Sequence, residues 1–307
     1  MIESKNNLKA WLYLAPALIL LGLFTFYPLF NAFFLAFVKD FNSITRSTHG
    51  MDGYAFVLFD NFSRVFKSPD FGQAVKNTAV IMLVSVPASI ITALVISVAL
   101  NSIKRFQGFL QTVFFLPYVT NSIAIGMTFA FIFHSDYGLV NMFLGWFGVN
   151  PITWVGPGAS WEAGMTALLI YTVWGGLAFK ILVFLSGLQS IDKQYYDAAK
   201  IDATPRGRVF SKITVPLLSP MIAYITITSF IGAAKAYSTI IGMFGASLGP
   251  EGNANAFITF VGLIYDALEK GTIGAYSVAA SAAIVLFLFT FMFTLINMWV
   301  SKKRVHY

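Results

Sequence analysis

The chain has 307 residues, of which 57% are apolar, 17% aromatic and only 11% charged, with a mean hydropathy of +0.74. That balance excludes an ordinary soluble domain and describes an integral membrane protein. The absence of cysteine excludes a disulfide framework and a thiolate metal site, and the net charge of +7 informs membrane orientation and gives no argument for nucleic acid.

Residues 1–10 form a polar N-terminus with Lys5 and Lys9, and no charge follows from Ala10 to Val38. This run is long enough for a tilted spanning helix of about 20 residues, and it is too long for a cleavable signal peptide, with no small-residue cleavage site after it. Pro16 and Pro28 are expected near its ends or at kinks. The polar loop 39–71 carries four basic and four acidic residues and the turn-rich HGMDG. The second span is expected over 77–103, closed by Lys104 and Arg105, and the third over 108–133, interrupted by Pro117. After the loop 134–162, which has no Lys or Arg, come a fourth span at 163–188 and a polar interval over 189–214. A fifth span at 215–244, a glycine-rich loop with the amphipathic piece FITFVGLIYDALEK, a sixth span at 272–300 and a polar C-terminus at 301–307 complete the chain. The expected fold is all-α, a polytopic membrane protein with six transmembrane helices.

Six spans place both termini on one side. The N-terminus, the 104–105 turn, the 189–214 interval and the C-terminus hold twelve Lys or Arg, whereas the opposite loops hold six if Lys76 is included. Basic residues accumulate on the cytoplasmic side, so both termini and the polar interval are expected there.

That interval is the one long polar stretch of the chain. Lys193, Lys200, Arg206, Arg208 and Lys212 alternate with Asp192, Asp197 and Asp202. It reads as two short helices, the first capped by Ser190 and the second by Thr204 followed by Pro205. Pro216 and Pro220 mark the passage into the next span. Taken from spacing alone, a solvated amphipathic loop accounts for it.

Other chemistry is sparse. No GxxxxGK[ST] loop occurs, so ATP hydrolysis by that route is not expected of this chain. His49, His134 and His306 are too scattered for a metal site, and no catalytic constellation is visible. Lys180 and Lys235 are the two charges inside spans, and each must face a cavity, pair, or snorkel to an interface.

Asp197-Ala198-Ala199, Asp202-Ala203-Thr204, Phe210, Ile213, Pro216 and Pro220 together resemble the EAA loop of bacterial ABC-importer permeases. Asp197 stands where that pattern has Glu, and Ala203 where it has Gly, which makes a left-handed turn more costly. Asp60-Asn61-Phe62, Phe114-Phe115-Leu116-Pro117-Tyr118, Asp136-Tyr137-Gly138-Leu139 and Gly187-Leu188-Gln189-Ser190-Ile191 extend the resemblance over nearly the whole chain, toward the carbohydrate-uptake group and its maltose-type and glycerol-phosphate-type first permease subunits.

The resemblance implies an ABC type I importer permease fold with a cytoplasmic coupling helix, in a bacterial inner membrane. It implies a heterodimer with a second permease subunit, docked on an ATPase dimer that carries ATP and Mg, with no cofactor in this chain. An extracellular solute-binding protein would deliver a carbohydrate, an oligosaccharide in kind, to the loops at 39–71, 134–162 and 245–271. It assigns ATPase coupling to Asp197, Ala198, Ala199, Asp202 and Ala203, and substrate contact to Gly176, Phe179, Ser229, Ala233, Ala236 and Tyr237, which bracket Lys180 and Lys235. Aromatic faces stack on sugar rings and Ser229 bonds hydroxyls, while either lysine suits a carboxylate or phosphate, as in a permease for glycerol phosphate or acidic oligosaccharides. An independent ion-coupled secondary carrier is the rival from another class, and it lacks a membrane-embedded Asp or Glu for ion coupling.

Overall fold

The computed structural model describes residues 7–103 and 107–304. Lys5 and the 104–105 turn, whose charges bear on orientation, lie outside the described residues. Helices dominate, and the described strands are two-residue pieces, Phe41–Asn42 and Ser47–Thr48, paired antiparallel with Phe41 opposite Thr48.

Among the described residues, four helices are long and apolar enough to cross a membrane: Lys9–Ala36, Phe71–Ser102, Trp161–Ser190 and Ala275–Val300. Two further pairs reach that length only across a bend, Gly108–Val119 with Ser122–Ile132 at 99° and Arg206–Leu217 with Ser219–Ala234 at 67°. Six apolar segments are therefore present, with the third and fifth broken.

The bounds differ from the expected ones in instructive ways. The second span begins at Phe71, so Lys76, expected in a loop, lies on the helix with its ammonium 3.6 Å from the centre of the Trp161 ring. That cation–π contact allows a lysine on an otherwise apolar helix. Pro117 does not interrupt the third span; it lies inside Gln107–Val119, and the break falls at Thr120–Asn121. Asn121 makes the break, because its side-chain oxygen accepts from the N–H of Ile123 at 2.8 Å and of Ala124 at 3.4 Å and starts a new helix. The fifth span ends at Ala234 and not at 244, and Ser238–Phe244 is a separate short helix.

Proline acts here on helix winding. Three turns, Gly22–Phe26, Ile81–Ser85 and Phe210–Thr214, are wound wider than an α-helix, and each is followed two residues on by Pro28, Pro87 or Pro216. The Tyr27 N–H reaches back to the Gly22 carbonyl and that of Val215 to Phe210, five residues in each case. A proline ring clashes with the carbonyl four residues before it and brings no N–H to satisfy it. Widening the preceding turn moves that carbonyl aside and lets an apolar helix continue.

By packing, the chain divides into two units, one of residues up to 69 with 263–285, the other of 70–262 with the residues from 286 on. In the first, Leu35, Ala36, Ala280 and Ile284 form a buried cluster with Phe33, Phe41 and Phe62 packed on it. Asn61 is 1% exposed and donates to the Ala36 carbonyl and the Val38 carbonyl, both at 2.9 Å, so it holds the chain where the first span ends. Asp40 receives Arg64 at 2.7 Å, and Gly274 lies against both, so close that a Cβ there would stand 3.0 Å from the guanidinium.

In the second unit the core is Ala93, Leu100, Ile181, Phe184, Leu185 and Ile225. Ser97 bonds across it to the Ile181 carbonyl at 3.1 Å. Asn77 is fully buried and fully used. It donates to the carbonyls of Ala256 and Ile258 at 3.0 and 2.8 Å and accepts from Trp161 Nε1 at 2.8 Å. Asn141 repeats the device for the loop that precedes the fourth span, donating to the Ser135 and Ile152 carbonyls and accepting from Trp154 Nε1. The buried side chains of Asn77 and Asn141 are tolerated because their oxygen and nitrogen both find partners.

Helices Ser122–Ile132 and Ser238–Phe244 cross at Gly126 and Gly242, where a Cβ on Gly126 would lie 2.7 Å from the Gly242 Cα. Lipid gives helices no hydrophobic reason to associate, so close backbone approach at small residues has to supply the contact. Gly126→Ala is therefore expected to lower stability by about 1–3 kcal/mol, the cost of overpacking. Thermal unfolding in detergent checks this, with Gly22→Ala, whose Cβ would meet nothing within 4 Å, as the neutral control.

Candidate functional site

The second unit contains a cavity of about 320 Å³ between the second, fourth and fifth spans, at the point where the fifth ends. From the fourth span it takes Thr172, Gly176 and Lys180; from the fifth it takes Ser229, Gly232, Ala233 and the non-helical Lys235, Ala236 and Tyr237. Seven of the eight residues expected to meet substrate thus line one space: Gly176, Lys180, Ser229, Ala233, Lys235, Ala236 and Tyr237. Phe179 does not. Its ring stacks on Tyr118 at 5.7 Å and packs on the helix core, so it supports the cavity from behind.

The helix break that places Lys235 at the cavity is built locally. Ser219–Ala234 ends in a turn at Lys235, and the chain then runs unwound to Ser238. Unwinding releases backbone groups that lipid could not satisfy. Thr259 meets one of them, donating to the Ala236 carbonyl at 2.6 Å, and Tyr171 donates its hydroxyl to the Ser122 carbonyl at the other break.

Lys180 is 9% exposed, and its ammonium donates to the Gly176 carbonyl at 2.9 Å, one turn back along its own helix. It therefore turns into the cavity and not toward the helix end at Ser190. Gly176 makes room for this, since a Cβ there would stand 2.8 Å from the Lys180 Nζ. Lys235 is exposed, and among the described residues neither lysine has a carboxylate within ion-pair distance.

Five polar lining residues were not expected: Ser85, Ser89, Thr172, Ser238 and Thr239. Ser85 and Thr172 donate to carbonyls four residues back, at 2.6 and 2.7 Å, and Ser89 to one three residues back, at 3.0 Å. With their protons engaged, they present only acceptor lone pairs. The Thr239 hydroxyl is buried and has no hydrogen-bond partner among the described residues. A serine spacing of four on an apolar helix, as in Ser85 and Ser89, was the signal that could have found the first two.

The polar interval folds as two short helices, Lys193–Ile201 and Arg206–Val209. Its caps are not the expected ones. Asp192 caps the first, accepting from the Gln194 N–H at 2.9 Å, while Ser190 donates to the Gly187 carbonyl inside the preceding helix. Pro205 itself holds the cap position of the second, and Thr204 provides no side-chain cap. The turn between them closes with the Thr204 N–H on the Ala199 carbonyl at 2.9 Å and the Ala203 N–H on Lys200 at 3.0 Å. That pair of bonds is a Schellman ending, and it sets Ala203 at φ +48, the left-handed region that normally takes glycine.

Asp197, Ala198, Asp202 and Ala203 are exposed. Ala199, expected to face a partner, is 6% exposed and instead seats the helix on its own chain. Asp197 bonds Lys200 at 2.7 Å, and that hydrogen bond and charge hold its carboxyl below the usual carboxylate range, so it stays ionised at neutral pH. The segment is joined to the cavity through packing. Leu218, at the 67° bend that follows the interval, lies against Gly187, where a Cβ would stand 2.8 Å from its side chain, and Gly187 is on the same helix as Lys180.

Apolar spans broken around a cavity, with a charged helical segment attached to the same helices, describe a transport protein and not an enzyme. Residues 85–306 match the family described as binding-protein-dependent transport system inner membrane component, and the chain belongs to that family. It is a permease subunit of the bacterial inner membrane. It is 29% identical over 306 residues to the lactose transport system permease protein LacF of Rhizobium radiobacter, covering 99% of this chain and 97% of the relative. It is 32% identical over 283 residues to the probable ABC transporter permease protein MG188 of Mycoplasma genitalium, covering 91% of this chain and 81% of the relative. Among solved structures, a bacterial ABC transporter involved in import of the acidic polysaccharide alginate has the same fold, with a TM-score of 0.75 at 21% identity over 97% of this chain and 96% of that one.

Left-handed backbone costs a residue with a Cβ about 1–2 kcal/mol relative to glycine. Ala203→Gly is accordingly expected to stabilise the turn by about 1 kcal/mol after the flexibility that glycine adds to the unfolded chain. Slower hydrogen exchange at the amides of Ala203 and Thr204 would register it, and faster exchange would refute it.

Proposed function

We propose that this chain is one of two permease subunits of an ATP-driven importer for a carbohydrate, an oligosaccharide delivered by an extracellular solute-binding protein. A second, different permease completes the pore, and a separate ATPase pair binds ATP and Mg and hydrolyses it. The observation that carries this reading is the exposed Lys193–Ile201 helix, linked through Leu218 and Gly187 to the helix that bears Lys180. The similarity to a lactose permease supports a sugar as cargo.

Under this reading the Lys193–Ile201 helix lies on the cytoplasmic side, as the distribution of basic residues argues, and docks in a cleft of the ATPase through Asp197, Ala198, Asp202 and Ala203. Closure of the ATPase pair moves this helix as a rigid lever. The bend at Leu218 passes the motion to Gly187 and so to the cavity walls, which alternate between outward and inward access. Tyr237 offers a ring face to a sugar, and Ser85, Ser89 and Thr172 offer acceptors to its hydroxyls. The loops at 39–71, 134–162 and 245–271 receive the binding protein.

Reconstitution of the chain with its partner permease, ATPase pair and binding protein in proteoliposomes tests this. Uptake of labelled oligosaccharide is expected to require ATP. Asp197→Lys is expected to lower uptake at least about tenfold, because a reversed charge at a docked surface is strongly unfavourable, while hydrolysis continues. Uptake driven by an ion gradient without ATP, or undiminished in the variant, would overturn the proposal.

A further inference from the structure

From the cavity itself we infer that the transported molecule carries an oxyanion, a carboxylate or a phosphate ester, held between Lys180 and Lys235. This rests on the reading of the cavity as the substrate passage and narrows its cargo.

The cavity lining includes two ammonium groups and no carboxylate. Lys180 has three N–H donors and uses one, on the Gly176 carbonyl. A carbonyl neutralises no charge, so a cation at 9% exposure is left with two donors and a full positive charge facing the space. Lys235 has no ion-pair partner among the described residues and stands where the fifth span unwinds, at the edge of the same space.

The neutral groups lead the same way. Ser85, Ser89 and Thr172 have their protons engaged by backbone carbonyls, so on this side the lining accepts hydrogen bonds from hydroxyls. A lining that combines such acceptors with unpaired ammonium donors suits a molecule that carries both hydroxyls and an anionic group. A neutral sugar would leave the buried Lys180 ammonium uncompensated, which is costly within a span.

The test uses the purified complex of this chain with its partner permease and ATPase pair, and measures direct binding of three probes: digalacturonate, glycerol phosphate and maltose. At least one anionic probe is expected to bind about tenfold or more tighter than maltose, the size of a charge-assisted hydrogen bond over a neutral one, and to weaken as salt is added. Tighter digalacturonate assigns a sugar carboxylate; tighter glycerol phosphate assigns a phosphate ester. Lys180→Gln and Lys235→Gln should each abolish most of that preference, and Lys235→Arg should retain it. Should Lys180→Gln fail to fold, the exposed Lys235 carries the test. Binding of neither anionic probe, maltose binding as tightly, or a preference that survives Lys235→Gln would overturn the inference. Loss of ATP-driven uptake in the wild-type assembly would instead overturn the importer reading, whichever probe binds.

Discussion

The constraint behind this structure is that a polypeptide in lipid cannot leave a peptide group unsatisfied. A cavity within the membrane needs broken helices, and each break frees N–H and carbonyl groups that must be met by side chains. Asn121 caps the helix restarted after the first break, Thr259 takes the carbonyl of Ala236 at the second, and Lys180 covers the carbonyl of Gly176. Of these side chains Lys180 also lines the cavity, beside the hydroxyls of the second, fourth and fifth spans.

The loops obey the same rule by another device. Asn61, Asn77 and Asn141 are buried and hold backbone that has left a helix, each donating to two carbonyls. Asn77 also unites three stretches far apart in sequence, the second span, the start of the fourth at Trp161 and the loop at 256–258. That loop leads directly to Thr259, so a bond made at the rim fixes the residue that holds the fifth span open. Rigidity at the rim and unwinding at the cavity are parts of one arrangement.

Much of this was legible in the sequence. Long uncharged runs announce spans because the hydrocarbon thickness sets their length, and the charge-bearing Asp197 segment stands out against them. Lys180 and Lys235 were conspicuous because a charge in a span needs a reason. What escaped notice depended on three-dimensional neighbours. Lys76 read as a loop residue because its support, the Trp161 ring, is 85 positions away. Pro117 read as a break because proline removes a bond, yet the wider turns before Pro28, Pro87 and Pro216 show how a helix absorbs one, and the true break came from the capping side chain of Asn121. Phe179 and Ala199 have the residue types expected at a contact surface, and only their packing shows that they face inward. Ala203 adopts the glycine-like conformation despite its side chain because two backbone bonds at the helix end enforce it.

On the proposed reading, one set of helices carries both the cargo space and the handle by which a separate motor works it. A cryo-electron microscopy map of the assembled importer, trapped with its cargo before hydrolysis, addresses this directly. The expected map shows cargo density bordered by Lys180, Lys235 and Tyr237, with the Lys193–Ile201 helix seated on a nucleotide-binding subunit. Cargo bound wholly outside this cavity, or that helix left free of the ATPase, would contradict it.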